Sequence, residues 1–299
     1  MRDLLAFPRQ SDIMTPMKIK IALVQFAPRL GDVSANLKTM LDQAAQAQTQ
    51  HADLILFPEL ALTGYYLKDL VPEVALDAVP EPLLAASLNS DIVFSFVETD
   101  ARHRYYISAA YLSQGRVVHI HRKVYLPTYR LFDDARYFAP GNTFRAFDTR
   151  FGRMGMLICE DAWHISSPYV LWQDGADFLL DISASPGYGI SNRVQVANAE
   201  TVNNFLRTYA EMLTTFVLFS NRSGMEDGIE FWGGSCIIGP NGQTLIAAPQ
   251  FDDALTITEI DTDALRRARI GLPTLRDEQR ELVRHELGRV AKSELDKTY

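Results

Sequence analysis

The 299-residue chain has two cysteines, Cys159 and Cys236. Two cannot build a disulfide framework or a cysteine-rich zinc site. Basic charge is also in deficit, with 29 Lys and Arg against 37 Asp and Glu and a formal net charge of −8. A nucleic-acid surface carries a basic stripe, so nucleic acid is not an expected partner. No apolar run reaches the roughly 18–20 residues that a membrane-spanning helix needs, so no membrane partner is expected either. The apolar stretch Leu4–Phe7 is too short for a signal-peptide core, and the expected compartment is the cytoplasm. Gly and Pro are scattered, with no repeat and no linker. Residues 1–16 read as an N-terminal extension and 17–299 as a single domain, with 276–299 a charge-rich C-terminal helical segment.

What is present is a series of strand-length apolar runs. They are Ile19–Phe26, Ala52–Phe57, Ile92–Val97, Tyr105–Tyr111, Arg116–Val124, Gly155–Cys159, Ala176–Ser183, Phe216–Ser220, Ser235–Ile238, Thr244–Ala247 and Ala254–Ile260. Helical spacing appears over Val33–Gln50, Val194–Thr214, Thr262–Arg269 and Arg276–Leu295. Ser167-Pro168 and Gly175 predict a helix over Pro168–Asp174, with Ser167 as its cap. Turn residues predict two hairpins, one at Ser113-Gln114-Gly115 and one at Gly239-Pro240-Asn241-Gly242. Strand–helix–strand units beside hairpins imply an α/β chain with two packed sheets and helices outside.

Three of these strands end in chemically useful residues. Phe57-Pro58 delivers Glu59, His121-Arg122 delivers Lys123, and Leu157-Ile158 delivers Cys159. Ligands and chemistry in α/β sheets collect beyond the carboxyl ends of strands. A carboxylate, an ammonium and a thiol there suit nucleophilic catalysis. Glu59 serves as base, Lys123 favours a thiolate and a developing oxyanion, and Cys159 attacks a carbonyl or nitrile carbon. No metal or organic cofactor is required. Each residue also has a plain role open to it: Cys159 as core, Glu59 as a first-turn residue, Lys123 as a solvated strand end. His119 and His121, two apart on a strand, share a face, but no third metal ligand follows at suitable spacing. His164 reads as a pocket or loop residue. Cys236, Met154 and Met156 read as core, and Glu226-Asp227 as part of the pocket rim.

In order along the chain, Phe57-Pro58-Glu59-Leu60 with Thr63-Gly64-Tyr65, then Arg122-Lys123-Val124-Tyr125-Leu126-Pro127, then Gly155-Met156-Leu157-Ile158-Cys159-Glu160-Asp161 resemble the three signature motifs of the nitrilase (carbon–nitrogen hydrolase) superfamily. Arg136-Tyr137-Phe138 with Pro140-Gly141, Ser185-Pro186, and Gly233-Gly234-Ser235 match its secondary landmarks, and the resemblance runs from about Lys18 to Glu278. It implies a four-layer α-β-β-α sandwich that forms homodimers or larger homo-oligomers by pairing sheet to sheet. It implies Glu59 as base, Lys123 as oxyanion stabiliser and Cys159 as nucleophile, with the Glu160 backbone N–H completing the oxyanion hole. Asp134 stands where the family usually carries a second glutamate, and Ser183 where it often carries asparagine.

The sequence Cys159-Glu160-Asp161-Ala162-Trp163 is most similar to the glutaminase domains attached to NAD synthetases. That branch implies Glu160 as a partner for a substrate α-amino group. It also implies Tyr65, Tyr129, Phe132, Trp163 and Ser185 as pocket residues. The alternative for Glu160 and Asp161 is that they merely begin the next loop. No Gly-rich phosphate loop is present, so a free-standing amidohydrolase is expected, acting on a small amide with release of ammonia. The runner-up reading is an N-carbamoyl hydrolase, followed by a nitrilase. A transferase to amines and a non-catalytic interaction protein complete the alternatives.

Overall fold

A computed structural model describes residues 16–187 and 197–295. The first half supplies β1 (Lys18–Gln25), α1 (Val33–Thr49), β2 (Leu54–Leu56), α2 (Val71–Val74), α3 (Glu81–Ala86), β3 (Asp91–Thr99), β4 (Tyr105–Ser113) and β5 (Arg116–Arg122). Next come α4 (Asp134–Tyr137), β6 (Phe147–Thr149), β7 (Gly152–Ile158), α5 (Ser166–Gln173), β8 (Phe178–Ser183), α6 (Ala197–Met212) and β9 (Phe216–Asn221). The chain ends with β10 (Ser223–Glu226), β11 (Ile229–Trp232), β12 (Cys236–Ile238), β13 (Thr244–Ala247), β14 (Ala254–Asp261), α7 (Asp263–Gly271), α8 (Thr274–Asp277) and α9 (Arg280–Leu295).

Two six-stranded sheets form, in the orders β14-β1-β2-β3-β4-β5 and β13-β12-β9-β8-β7-β6. Each has a parallel centre, β1-β2-β3 in one and β7-β8-β9 in the other, with antiparallel strands at its edges. The parallel strands are buried on both faces, which explains their unbroken apolar runs. One face of each sheet meets the other sheet: Ile21, Leu23, Leu54 and Leu56 pack with Met154, Met156, Leu180 and Leu218. The other faces carry helices. Met40, Ala44 and Ala47 of α1 cover Ala22, Val24 and Ile55. Leu171 of α5 and Val202 and Leu206 of α6 cover Leu157, Leu179 and Val217. The result is the expected four-layer α-β-β-α sandwich.

The strand predictions hold to within two or three residues at each end, and both hairpins form where the turn residues placed them. Some local expectations fail. Helix α5 starts at Ser166, so Ser167 lies inside it and its buried hydroxyl caps nothing. The C-terminal segment breaks at Glu278, whose extended backbone separates α8 from α9. The β10–β11 hairpin and the short β6 escaped the reading because their residues are polar or too few to show a period. The expected extension 1–16 lies, Pro16 apart, outside the described residues, as do 194–196 of the expected helix Val194–Thr214. Among the described residues no helix is long and apolar enough to cross a membrane.

Candidate active site

The parallel strands of the two sheets point their carboxyl ends at one region, and Glu59, Lys123 and Cys159 all reach it. The chain leaving β2 continues as Phe57, still bonded to Val93, and then crosses to the second sheet, where Glu59 N–H donates to Ser183 O. Lys123 extends β5: its N–H donates to Ile107 O and its carbonyl accepts from Gly141 N–H at 2.7 Å. A Cβ at Gly141 would lie 2.2 Å from Arg122 O, so the close approach requires glycine. Cys159 ends β7 and opens a tight helical turn over Cys159–Trp163 with φ of +49°, the left-handed region, which holds the nucleophile away from the strand direction.

Lys123 Nζ donates to Glu59 Oε1 at 2.7 Å and to Asp134 Oδ2 at 2.8 Å. Glu59 Oε2 accepts from the Ala184 N–H, and Asp134 Oδ1 accepts from Tyr65 OH at 2.7 Å. The chain Tyr65–Asp134–Lys123–Glu59–Ala184 is thus continuous, and every charged member is buried. The shorter Asp134 reaches Lys123 despite the missing methylene. Helix α4 begins at Asp134, whose N–H donates to Pro127 O, and this draws its carboxyl into the site.

Burial would strip a lysine of its proton, but the Asp134 and Glu59 carboxylates outweigh that and hold the Lys123 ammonium well above its usual range. Burial pushes the Glu59 carboxyl up, against the pull of Lys123, which makes it a better proton acceptor than a solvated glutamate. Burial also pushes the Cys159 thiol well up; the Glu59 carboxylate adds to this and Lys123 opposes it. The resting nucleophile is therefore a thiol rather than the thiolate expected from Lys123 alone, and a base must take its proton.

Glu160 is buried, with Tyr129 OH donating to both carboxylate oxygens at 2.9 and 3.1 Å and His164 Nε2 3.6 Å away. Burial raises its pKa, and the Tyr129 hydroxyl opposes this. Tyr65, Phe132 and Tyr129 form an edge-to-face aromatic series beside it. Trp163 stands apart: it packs on Phe205 of α6 in the outer core. Ser185 adjoins the Glu59 contact at Ala184, but its hydroxyl accepts from Trp232 Nε1 at 3.0 Å and from Asn198 Nδ2. Its hydroxyl is therefore engaged in the wall. A cavity of about 120 Å³ borders Tyr65 and Asp134. A larger groove of about 580 Å³ lies at the opposite strand ends, against Phe216 and α7, and carries none of these residues.

Two supports were missed in the sequence. Asp161 is more than the start of a loop. Its Oδ1 accepts from the N–H groups of Val124 and Tyr125, just after Lys123. Its Oδ2 accepts from Ile158 N–H and lies 2.8 Å from His121 Nε2. One carboxylate therefore ties the lysine strand to the cysteine turn, and His121 is buried against it while His119 stacks on Phe147. Glu226 of the β10–β11 hairpin accepts from the N–H groups of Tyr65 and Tyr66 and pairs with buried Arg222 at 2.6 Å. A Cβ at Gly64 (φ +77°) would meet Glu226 Oε2 at 2.7 Å, so that contact also depends on glycine. Among the described residues no group of three or more His, Cys, Asp or Glu could hold a metal ion.

Residues 20–270 match the family model for carbon-nitrogen hydrolases. The chain belongs to the carbon–nitrogen hydrolase family. Within it, the chain is 34% identical to a glutamine-dependent NAD(+) synthetase of Acinetobacter baylyi, over 84% of this chain and 46% of that protein. It is 29% identical to a probable nitrilase of Schizosaccharomyces pombe, over 83% of this chain and 90% of the other. The amidase of Nesterenkonia AN1, from the nitrilase superfamily, superposes with a TM-score of 0.76 at 25% identity, covering 89% of this chain and 96% of that one. This carbon–nitrogen hydrolase therefore spans about half the length of the synthetase relatives it matches.

Proposed function

We propose that the chain is a thiol amidohydrolase that cleaves a non-peptide C–N bond of a small amide and releases ammonia through a cysteine acyl-enzyme. The observation that carries this reading is the buried Asp134–Lys123–Glu59 chain beside a protonated thiol in a left-handed turn. Glu59 takes the Cys159 proton as sulfur attacks the carbonyl carbon, and the carbonyl electron pair moves to oxygen. The Lys123 ammonium and the Glu160 N–H receive that oxyanion. Collapse breaks the C–N bond, and the Glu59 acid gives its proton to the departing nitrogen. Glu59 then takes a proton from water, the hydroxide adds to the thioester, and collapse frees the acid and returns the thiol. Lys123 keeps its charge throughout because two carboxylates hold it.

The substrate proposed is a glutamine-like amide bearing an ammonium group. Glu160, oriented by Tyr129, supplies the negative partner, and the Tyr65, Phe132 and Tyr129 rings supply the walls and cation-facing surfaces. The glutamine-dependent relatives support this choice, and the Nesterenkonia amidase, which takes up acrylamide at its active-site cysteine, supports the role of Cys159. Pairing with a second copy belongs to the same reading; Ile165, 73% exposed, and Val170 offer apolar surface at α5.

The test is ammonia release over glutamine, asparagine, aliphatic amides, N-carbamoyl compounds and nitriles. Glutamine should lead, and Cys159→Ala should release none. Carbon dioxide released with the ammonia would mark a carbamoyl hydrolase instead. Equal rates from wild type and Cys159→Ala would overturn the mechanism.

A further inference from the structure

One buried carboxyl group takes no part in the scheme above. Asp181 lies in mid-β8, 1% exposed, with Leu157 of β7 and Phe219 of β9 as its neighbours in register. Both belong to the core beneath α6, so Asp181 stands on the helix-covered face of the sheet. Its chain neighbours Leu180 and Ile182 point the other way, between the sheets. An unpaired aspartate at the centre of a parallel strand is costly, and this one is held by few partners. Ser183 Oγ donates to Oδ1 at 2.9 Å, and the backbone N–H of Cys159 is directed at the carboxyl. The nucleophile's turn therefore hangs on two carboxyl groups: Asp161 at the Ile158 N–H and Asp181 at the Cys159 N–H.

We propose that Asp181 is a positioning residue with a proton response: its neutral carboxyl lets Cys159 ionise, and its carboxylate suppresses that ionisation. The proposal rests on Cys159 being the nucleophile. The titratable groups that face Asp181 are Glu59 from the loop after β2, Asp161 and Cys159 from the turn after β7, Tyr209 from α6 and Cys236 from β12. All are acids. Burial pushes Asp181 up to about 8; Ser183 opposes that, while the charges of Glu59 and Asp161 add to it. The Asp181 carboxylate in turn raises the Cys159 thiol. Near neutral pH Asp181 holds its proton and the site carries one negative charge fewer. As pH rises through about 8 that proton leaves, and the new charge opposes both thiolate and oxyanion.

The experiment compares wild type with Asp181→Asn by iodoacetamide labelling from pH 6 to 9.5, with the adduct assigned to Cys159 by peptide mapping. In that reaction the thiolate sulfur bonds to the methylene carbon and iodide leaves with the electron pair. The expected ratio of variant to wild-type rate is near one below pH 7. Above pH 9 it rises to roughly ten-fold, the effect of one nearby charge in an interior of effective dielectric about 20. A merely structural role gives a ratio that does not change with pH, and that result overturns the proposal. Ser183→Ala removes a donor to the carboxylate, so in that variant the alkaline break moves to higher pH; an unmoved break also overturns it. Ammonia release from glutamine, measured alongside, separates the two failures. A constant labelling ratio with intact Cys159-dependent turnover removes only the Asp181 proposal. Absent labelling and Cys159-independent turnover remove the nucleophile with it.

Discussion

Replacing Lys123 by methionine keeps most of the side-chain volume and strips the only cation bonded to two buried carboxylates. Lys123 and Glu59 have fully buried side chains, and the Asp134 side chain is 6% exposed. Removing one partner of a buried ion pair leaves uncompensated charge and costs about 3–5 kcal/mol. The loss must depend on pH in a defined direction. Glu59 already titrates above its ordinary range because of burial, and Lys123 restrains that rise. Without the ammonium, its folded-state pKa climbs further while the unfolded value stays put. The folded variant then binds more protons than the unfolded chain, so its stability falls as pH rises from about 5 to 8. Urea unfolding at pH 5, 6.5 and 8 should show the deficit of Lys123→Met growing at each step, while turnover is lost at every pH. A deficit below about 1 kcal/mol, or one that is the same at all three values, would refute the idea that the ammonium holds two repelling carboxylates together.

Glu160→Gln should raise KM for glutamine by at least about ten-fold, and leave KM for a simple aliphatic amide within a factor of about two. Steady-state kinetics on the two substrates check this. Asp134→Glu should lower kcat on the order of ten-fold, because both Asp134 oxygens already sit at 2.7–2.8 Å from their donors in a closed space. Unchanged turnover would show that the pocket accepts either length. Asp161→Asn should cost about 2–4 kcal/mol, read by urea unfolding. Its carboxylate accepts three backbone N–H groups and faces His121, and the amide presents N–H to part of that set.

The parallel centres of both sheets were legible in the sequence because strands buried on both faces write themselves as unbroken apolar runs. The three catalytic candidates were legible because each follows such a run directly, and the structure places Glu59 and Lys123 in contact 64 residues apart. The joining groups were not legible. Asp161 and His121 lie 40 positions apart, and only the turn at Cys159 brings them together. Glu226 reaches Tyr65 from a hairpin too polar and too short to show a period. Trp163 follows the nucleophile closely enough to suggest a pocket wall, but the tight turn after Cys159 rotates it into the core against Phe205. Ser167 precedes a proline as a cap would, yet α5 begins one residue earlier and encloses it.

The most direct test of the acyl-enzyme is intact-mass analysis of the chain quenched in acid during turnover of glutamine, followed by peptide mapping. The account predicts a mass increase equal to the acyl group of the substrate less one proton, confined to the peptide that carries Cys159, with ammonia released in step. Turnover with no adduct at Cys159 under rapid quench, together with full activity in Cys159→Ala, would contradict it.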